Sequence, residues 1–196
     1  MRKYLVVIDM QNDFINGSLG TDEAMKIVPN VVDKINNNTY YDIIATMDTH
    51  FLDEYPRTLE GKKLPVNHCI IGTEGHNIQK DVYNALADKK AKFFTKKTFG
   101  SVSLAKFLYD RYVENKDMTI EICGLCTDIC VISNALLFRA YMPNIKIVVD
   151  EKCCAGTTLE NHNAALIAMS SCQIDVINSK TEEADGIKTE KIKEEK

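Results

Sequence analysis

The chain carries a cysteine-rich segment where an apolar run gives way to a helical pattern. The segment spans residues 123–131 and reads CGLCTDICV, the apolar run covers 118–122, and the helical pattern covers 129–140. At the start of a helix the backbone N–H groups lack partners and the helix dipole is positive, so a thiolate is favoured over a thiol. A cysteine in this position predicts covalent catalysis by sulfur.

Cys130 is the candidate nucleophile, because Thr127 or Asp128 can cap the helix and so place it in the first turn. Two other interpretations stay open at this point. Cys130 is a buried cysteine on a helix face, or Cys123 and Cys126 form a Cys-x-x-Cys redox or zinc motif. The second is disfavoured because there is no second cysteine pair at metal-ligand spacing and Cys123 belongs to the predicted strand.

Short β-branched runs alternate with amphipathic stretches along the chain. The runs predict six strands, at residues 4–8, 42–47, 91–95, 118–123, 145–149 and 173–177. The stretches between them have helical spacing, at residues 23–35, 77–87, 102–113, 129–140 and 159–169. Strands that alternate with helices indicate βαβ units, and hence a mostly parallel sheet covered by helices on both faces.

Polar residues follow four of the predicted strands at their carboxyl ends: Asp9, Asp48, His50, Lys96, Lys97 and residues 126–130. In a doubly wound sheet the active site lies beyond these ends, near the point where the strand order reverses. Asp9 is placed to accept a thiol proton and return it to a leaving group, and Asp13 is the rival carboxylate. A lysine between carboxylate and sulfur would stabilise both anions, and Lys96 and Lys97 are the two candidates.

A metal site is suggested by Asp48-x-His50 together with His68 downstream. One carboxylate and two imidazoles suit zinc, iron or manganese with open coordination positions. The other two histidines, His76 and His162, are interpreted as polar surface residues.

The composition predicts a soluble protein that binds neither nucleic acid nor membrane. The 196 residues are 45% apolar and 27% charged, and the net charge is −4 with a pI near 5.6. No apolar run approaches the roughly 20 residues that span a bilayer, and the N-terminus shows no signal-peptide cleavage site. We therefore expect a cytoplasmic protein whose seven cysteines are mostly free.

The chain is expected to form one domain over residues 1–178. Residues 49–75 contain prolines and glycines without a convincing period, which predicts a long structured loop of functional importance. Residues 179–196 are rich in Lys, Glu and Thr, which predicts a charged, flexible tail.

Four ordered segments resemble the isochorismatase-like cysteine hydrolases, and within them the nicotinamidases most closely. The segments are VIDMQNDF at 7–14, DTH at 48–50 with HCIIGT at 68–73, KKTFGS at 96–101, and GLCTDICV at 124–131. The resemblance covers the chain to about residue 178. It implies the isochorismatase-like hydrolase fold, a three-layer α-β-α structure with a six-stranded, mostly parallel sheet.

The resemblance also implies roles for individual residues. The family pattern Lys-x-Thr-Phe-Gly-Ser selects the first of the two lysines, and the implied catalytic triad is Asp9, Lys96 and Cys130. A cis peptide bond is implied between Leu125 and Cys126, and the N–H groups of Cys126 and Cys130 would form an oxyanion hole. Phe14 and Leu125 are the expected walls of the substrate pocket.

The implied reaction converts nicotinamide and water to nicotinate and ammonia through a thioester on Cys130, a step in NAD salvage. The implied cofactor is a divalent metal, zinc first and iron or manganese as alternatives, held by Asp48, His50 and His68 and oriented toward the pyridine nitrogen. The third histidine ligand of many nicotinamidases is absent here, and Glu60 is the expected substitute, ahead of Glu54.

The substrate pocket departs from the family pattern at one position. Nicotinamidases commonly stack the pyridine on an aromatic residue, often Trp, just before the second metal histidine. This chain has no Trp, and residues 64–67 read LPVN. A related cysteine hydrolase acting on another small carboxamide or carbamoyl compound is therefore the alternative, and a non-catalytic binding module of the same fold is a third. Family members are usually homo-oligomers, so the resemblance implies a homo-oligomer for this chain as well.

Overall fold

A six-stranded parallel sheet forms the centre of the computed structural model, which describes residues 1–178. The predicted tail, 179–196, lies outside the described residues. The strands are β1 Arg2–Ile8, β2 Asp42–Asp48, β3 Lys92–Lys96, β4 Met118–Leu125, β5 Lys146–Ala155 and β6 Asp175–Ile177. Their order across the sheet is β3-β2-β1-β4-β5-β6, and every neighbouring pair is parallel.

Helices connect the strands: α1 Asn12–Ile15, α2 Asp22–Asn37, α3 Leu59–Lys63, α4 Lys80–Asp88, α5 Val102–Glu114, α6 Ile132–Tyr141 and α7 Leu159–Ser171. A 3₁₀ turn covers Tyr55–Arg57, and a π-helical turn covers Thr127–Val131 directly before α6. Helices α2 and α4 pack together in one layer, while α5, α6 and α7 pack in sequence in the other. The predicted three-layer α-β-α architecture is confirmed.

The strand order reverses between β1 and β4, because the chain first builds the sheet outward from β1 to β3 and then returns to the other side of β1. Ligands of doubly wound folds bind in the crevice at such a switch point. The residues at the carboxyl ends of β1, β2, β3 and β4 therefore lie at one edge of the sheet, as the sequence predicted.

Hydrophobic burial explains why these segments form these elements. All residues of β4 are buried, and β1 is buried from Tyr4 to Ile8, as expected for central strands covered on both faces. In α2 the buried residues recur at helical spacing. The hydroxyls of Thr21, Ser101 and Thr158 cap α2, α5 and α7 by accepting a backbone N–H three residues on.

Three predicted segments differ from the structure. The predicted helix at 129–140 starts with the π-helical turn before α6 begins. The predicted loop at 49–75 contains the 3₁₀ turn and α3, which the sequence did not indicate. Strand β5 is longer than predicted because its end continues to pair with β4, where Gly124 lies opposite Cys154 and Leu125 opposite Ala155.

A buried ionic cluster lies under α2, away from the switch point. Glu121 of β4 pairs with Lys34 of α2 and, at 2.6 Å, with Lys3 of β1, and Lys34 also lies 2.6 Å from Asp150 of β5. The cluster thus joins one helix to three strands. No helix within the described residues is long and apolar enough to cross a membrane.

Candidate active site

Lys96 stands between the carboxylate and the thiol of the predicted triad. Its Nζ lies 2.6 Å from Oδ2 of Asp9 and 3.4 Å from Sγ of Cys130. All three residues are buried, and each comes from a different strand end: Asp9 after β1, Lys96 at the end of β3 and Cys130 after β4. Lys97 is exposed and pairs with Glu54 at 2.8 Å, so the structure brings Lys96 and not its neighbour into the crevice.

Burial dominates the electrostatics of this group. It raises the pKa of the Asp9 carboxyl, which the Lys96 ammonium opposes only in part. Burial also raises the pKa of the Cys130 thiol, and the neighbouring Asp9 carboxylate raises it further. Burial alone would lower the pKa of Lys96, but the anions around it hold that pKa above its ordinary value. In the resting protein the Cys130 thiol therefore keeps its proton, beside the close contact between Lys96 and Asp9.

The expectation that the helix start favours a thiolate is wrong for the resting protein. Desolvation of a fully buried sulfur and the nearby Asp9 carboxylate outweigh the Lys96 ammonium, so the pKa of Cys130 lies well above its usual value. The group in contact that can accept the thiol proton is Asp9.

The candidate nucleophile, Cys130, lies in the π-helical turn rather than in a capped α-helix. The N–H groups of Ile129 and Val131 both donate to the Cys126 carbonyl, at 3.1 and 3.0 Å. No side chain caps this turn, so the predicted capping by Thr127 or Asp128 is wrong. The expected cis peptide bond between Leu125 and Cys126 is present.

Both supposed capping residues instead tie the turn to the segment after β5. The Thr127 hydroxyl lies 2.8 Å from Nδ1 of His162, and the Asp128 carboxylate accepts from the backbone N–H and the hydroxyl of Thr157, at 2.9 and 2.5 Å. Both carboxylate oxygens of Asp128 are thus engaged by Thr157, which lies far along the chain. His162 is buried, so its interpretation as a surface residue is also wrong.

A four-residue group beside the triad has the chemistry of a metal site. Asp48, His50, Glu60 and His68 offer ligand atoms that all lie within 4.8 Å of one another. Oδ2 of Asp48 lies 2.8 Å from Nε2 of His50 and 3.6 Å from Nε2 of His68, and Oε1 of Glu60 lies 3.4 Å from the latter. Two imidazoles and two carboxylates fit zinc, iron or manganese.

The two imidazoles are oriented for such a role. Nδ1 of His68 donates to the Val66 carbonyl at 2.9 Å, which leaves Nε2 to face the group. Although burial lowers the pKa of His68, hydrogen bonds to Asp48 and Glu60 raise it to about 10, so the site favours positive charge. Glu60 lies at the group, whereas Glu54 pairs with Lys97, which agrees with the preference for Glu60.

A cavity of about 760 Å³ opens onto both groups of residues. Its walls include Cys126 and Cys130 on one side, and Asp48, His50 and His68 on another. Both expected pocket walls, Phe14 and Leu125, line it, and the Phe14 ring lies 5.5 Å from that of His68. The cavity can therefore present one small molecule to the thiol and to a bound metal together.

Comparison with known proteins shows the family of this chain. A model of the isochorismatase domain matches residues 3–181. The chain belongs to the isochorismatase domain family. It is 29% identical over 180 residues to the uncharacterized isochorismatase family protein PncA of Bacillus subtilis, which covers 85% of this chain and 93% of that protein.

Solved structures are similar to this isochorismatase-family chain over most of their length. The crystal structure of nicotinamidase/pyrazinamidase PncA from Bacillus subtilis has a TM-score of 0.74 and 25% identity, over 90% of this chain and 99% of that one. Pyrazinamidase of Pyrococcus horikoshii, crystallised in complex with zinc, has a TM-score of 0.69 and 23% identity, over 91% and 100%. The second match shows the fold alone.

Buried amides that sequence reasoning missed hold the family's motif residues in place. Asn134, one helical turn after the nucleophile, donates to the carbonyls of Cys130 and Phe99, at 2.8 and 3.1 Å, and accepts from the N–H of Ser101. Gln11 donates to the Asp48 carbonyl and accepts from the Asp48 N–H, at 2.8 and 2.7 Å. For Asn134 the only sequence signal is a polar amide within a mainly apolar stretch, whereas Gln11 stands among polar residues and has no such signal.

Asp13, the rival to Asp9, has a positioning role in this isochorismatase-family site. It lies in α1, and its Oδ2 accepts the N–H of Cys69 at 2.7 Å, while Oδ1 accepts the N–H of Ser18. Cys69 directly follows His68 and has a φ of 47°, an unusual conformation for a residue with a side chain. The Cys69 carbonyl in turn accepts the N–H of His50. Asp13 therefore fixes the backbone between the two candidate metal histidines.

The remaining candidates lie outside the reacting groups. Cys123 is buried in the core, and all seven cysteines are free. His76 is half-buried and lies 2.9 Å from the Thr49 hydroxyl, so it too is more than a surface residue.

Proposed function

We propose that this protein is a metal-dependent cysteine amidohydrolase that converts nicotinamide and water to nicotinate and ammonia. The observation that carries the proposal is the Lys96 ammonium in contact with both the Asp9 carboxylate and the Cys130 sulfur, in a cavity shared with the Asp48, His50, Glu60 and His68 group. Similar structures that carry the names nicotinamidase and pyrazinamidase support the choice of substrate. The seven cysteines are free, which fits a reducing, cytosolic location.

The first half of the reaction forms a thioester and releases ammonia. Asp9 takes the proton of Cys130, and the Lys96 ammonium stabilises the charges that this transfer redistributes. The sulfur attacks the amide carbon, and the carbonyl oxygen gains a negative charge. Backbone N–H groups of Cys126 and Cys130 are the proposed donors to that oxygen, each worth roughly 10²–10³ in rate. Asp9 then gives its proton to the nitrogen, the C–N bond breaks and ammonia leaves.

The second half hydrolyses the thioester. Asp9, again a carboxylate, accepts a proton from a water molecule as the water oxygen attacks the thioester carbon. The C–S bond breaks, nicotinate forms, and the proton returns from Asp9 to the Cys130 sulfur. Because the pKa of Cys130 is raised, the sulfur takes this proton readily and the resting thiol is restored.

The four-residue group fits a divalent metal, since Asp48, His50, Glu60 and His68 would supply two carboxylate oxygens and two imidazole nitrogens. A bound zinc ion would act as a Lewis acid and template for the pyridine ring of the substrate. The residues themselves would orient the ring: Phe14 and Leu125 both line the cavity, and their apolar side chains would exclude water from the reacting carbon.

The proposal is tested by ammonia release from nicotinamide. Cys130→Ala is expected to abolish release, while Cys172→Ala, which removes an exposed cysteine far from the cavity, leaves it intact. Strong chelation is expected to lower release, and added zinc to restore it. Undiminished release by Cys130→Ala would overturn the mechanism.

A further inference from the structure

The cavity is larger than a single-ring amide requires. A volume of about 760 Å³ lies in the upper part of the roughly 300–1,000 Å³ range of pockets that enclose drug-sized ligands. Nicotinamide is much smaller than such a ligand: even at the ~30 Å³ that one water molecule occupies in the liquid, its few heavy atoms fill well under half of this space.

The unused space lies at the cavity mouth, and its walls are apolar. The triad and the metal-ligand group occupy the deep end, where Lys96 Nζ touches both Cys130 Sγ, at 3.4 Å, and Asp48 Oδ1, at 3.5 Å. Four large apolar side chains line the outer part while staying open to solvent: Phe51, Leu59, Leu64 and Phe99, which are 36%, 72%, 37% and 45% exposed. A contiguous exposed group of this kind around a cavity marks a binding surface.

The charges at this mouth largely cancel. Lys97 lies 2.8 Å from Glu54, and its ammonium also rests over the Phe51 ring, 4.5 Å from the centroid. Lys63 is the other cation of the lining. The walls thus offer an apolar surface with one ammonium group near it, rather than a strongly charged subsite.

Leu64 is part of the reason that the mouth is open. It belongs to the LPVN segment directly before His68, where the chain has no aromatic residue. Its backbone is fixed, because the hydroxyl of the buried Tyr55 donates to the Leu64 carbonyl at 2.8 Å. The segment is therefore held in place with a modest aliphatic side chain facing the cavity.

We propose that the four side chains Phe51, Leu59, Leu64 and Phe99 form a second substrate subsite, the apolar mouth, and that the preferred substrate is a pyridine carboxamide with an uncharged, apolar ring substituent. This proposal rests on the proposed amidohydrolase function and names its substrate class. The carboxamide occupies the deep end, and the substituent buries its surface against the apolar mouth.

The test compares nicotinamide with each ring isomer of phenylnicotinamide, using ammonia release by the metal-loaded protein. At least one phenyl isomer is expected to show a kcat/KM about tenfold above that of nicotinamide, mainly through KM. The analogous isomer that carries a carboxylate on the phenyl ring should lose this advantage. If nicotinamide is hydrolysed and no phenyl isomer exceeds its kcat/KM, the proposal is overturned.

Variants separate the apolar mouth from a general effect of hydrophobicity. Leu64→Trp fills the mouth, and Leu59→Glu places a charge in it, so each should lower the ratio of phenyl isomer to nicotinamide kcat/KM by about tenfold. Ile167→Trp alters an exposed apolar residue of α7 outside this cavity and should keep the wild-type ratio. A wild-type ratio in both mouth variants would contradict the proposal.

Binding of nicotinamide and the phenyl isomers to the Cys130→Ala protein tests the apolar mouth independently of hydrolysis. Equilibrium dialysis should show at least one phenyl isomer bound about tenfold more tightly than nicotinamide, even if neither is hydrolysed by the wild type. In that case the proposed function fails and the apolar mouth stands. Equal or weaker binding of every phenyl isomer, together with turnover of nicotinamide, overturns the apolar mouth and leaves the proposed function intact.

Discussion

The Lys96 ammonium contacts three groups at the site: two carboxylates and one sulfur. Its Nζ lies 2.6 Å from Asp9, 3.4 Å from the Cys130 sulfur and 3.5 Å from Asp48. A side chain so placed cannot change its ionisation without cost to several neighbours, because the anions around it hold its pKa above the ordinary value. In the proposed reaction, the proton that moves is therefore the one that passes between Cys130 and Asp9.

The pH dependence of kcat/KM should reflect this shared proton. Asp9 must be ionised to accept it, and burial raises the pKa of Asp9, so activity should fall on acidification at a higher pH than an ordinary aspartate would give. Burial also raises the pKa of Cys130, so no alkaline change is expected near the ordinary thiol value. A pH–rate profile of ammonia release measures both limits, and a rise in activity that follows an ordinary thiol titration would contradict them.

Asp13 allows the metal site to be tested without touching a ligand. Asp13→Ala removes the acceptor of the Cys69 N–H and frees the backbone next to His68, so the dissociation constant for zinc should rise by about 10–100-fold. Chelator competition measures this constant. Asp110→Ala, an exposed aspartate of α5, is the matched control. Iodoacetamide labelling of Cys130 should stay at its wild-type rate, and an unchanged zinc affinity in Asp13→Ala would refute the positioning role.

At the scale of elements, the site depends on a close approach between β1 and β4. Gly124 has a φ of 118°, and a Cβ at this position would lie 2.1 Å from the Ile8 carbonyl oxygen. The β4–β5 register also shifts between Ile122 and Gly124. A residue without a side chain is thus required within the end of β4, two positions before Cys126 and the turn that carries Cys130.

Gly124→Ala is expected to lower the free energy of unfolding by more than about 2 kcal/mol, because a strained φ adds to a backbone clash. Gly72→Ala is the matched control. Gly72 also has a positive φ, 82°, but no atom lies within 4 Å of its Cβ position, so only the strain of about 1–2 kcal/mol applies. Urea unfolding distinguishes the two, and equal losses would show that the close approach to Ile8 is unimportant.

The sequence predicted the strands and the strand-end residues because both depend on short-range patterns. Apolar runs identified β1, β2 and β4, and Asp9, Asp48 and Lys96 follow directly from where such runs end. The π-helical turn was not predictable in this way, because Thr127 and Asp128 bond to His162 and Thr157, which lie some thirty residues along the chain. Local capping rules assume that a side chain has no better long-range partner.

The raised pKa of Cys130 also depends on residues that are distant in the sequence, so local patterns did not predict it. Sequence position gives the helix dipole, but the desolvation that raises the pKa comes from the packing of several strand ends around the sulfur. The role of Asp13 was missed because the N–H that it accepts belongs to residue 69, in a loop without periodicity. Glu60 was predicted from resemblance alone, and its place depends on α3, which the sequence did not indicate.

At the scale of the whole molecule, the buried cluster around Glu121 joins the sheet to α2. Glu121→Gln should lower the free energy of unfolding by about 3 kcal/mol at neutral pH, because it removes the carboxylate that pairs with Lys3 and one of the two that pair with Lys34 among the described residues. Glu114→Gln breaks only an exposed pair with Arg111 and should cost well under about 1 kcal/mol.

The effect of Glu121→Gln should also depend on pH. Burial raises the pKa of Glu121, but Lys3 and Lys34 lower it more, so its folded pKa lies below the unfolded value. A carboxyl of this kind stabilises the protein above its unfolded pKa and loses that contribution as the pH falls through the folded pKa. The difference between wild type and Glu121→Gln should therefore shrink on acidification. A difference that grows toward acid pH would contradict the assignment.

The parallel sheet brings four strand ends to one switch point, and the account depends on the sulfur that lies there. The most direct test is mass spectrometry of protein that is acid-quenched while it turns over nicotinamide. The account predicts a nicotinoyl adduct on the peptide that contains Cys130, present only with substrate and absent in Cys130→Ala. Steady release of ammonia by a Cys130→Ala protein, with no acyl adduct on the wild type, would contradict it.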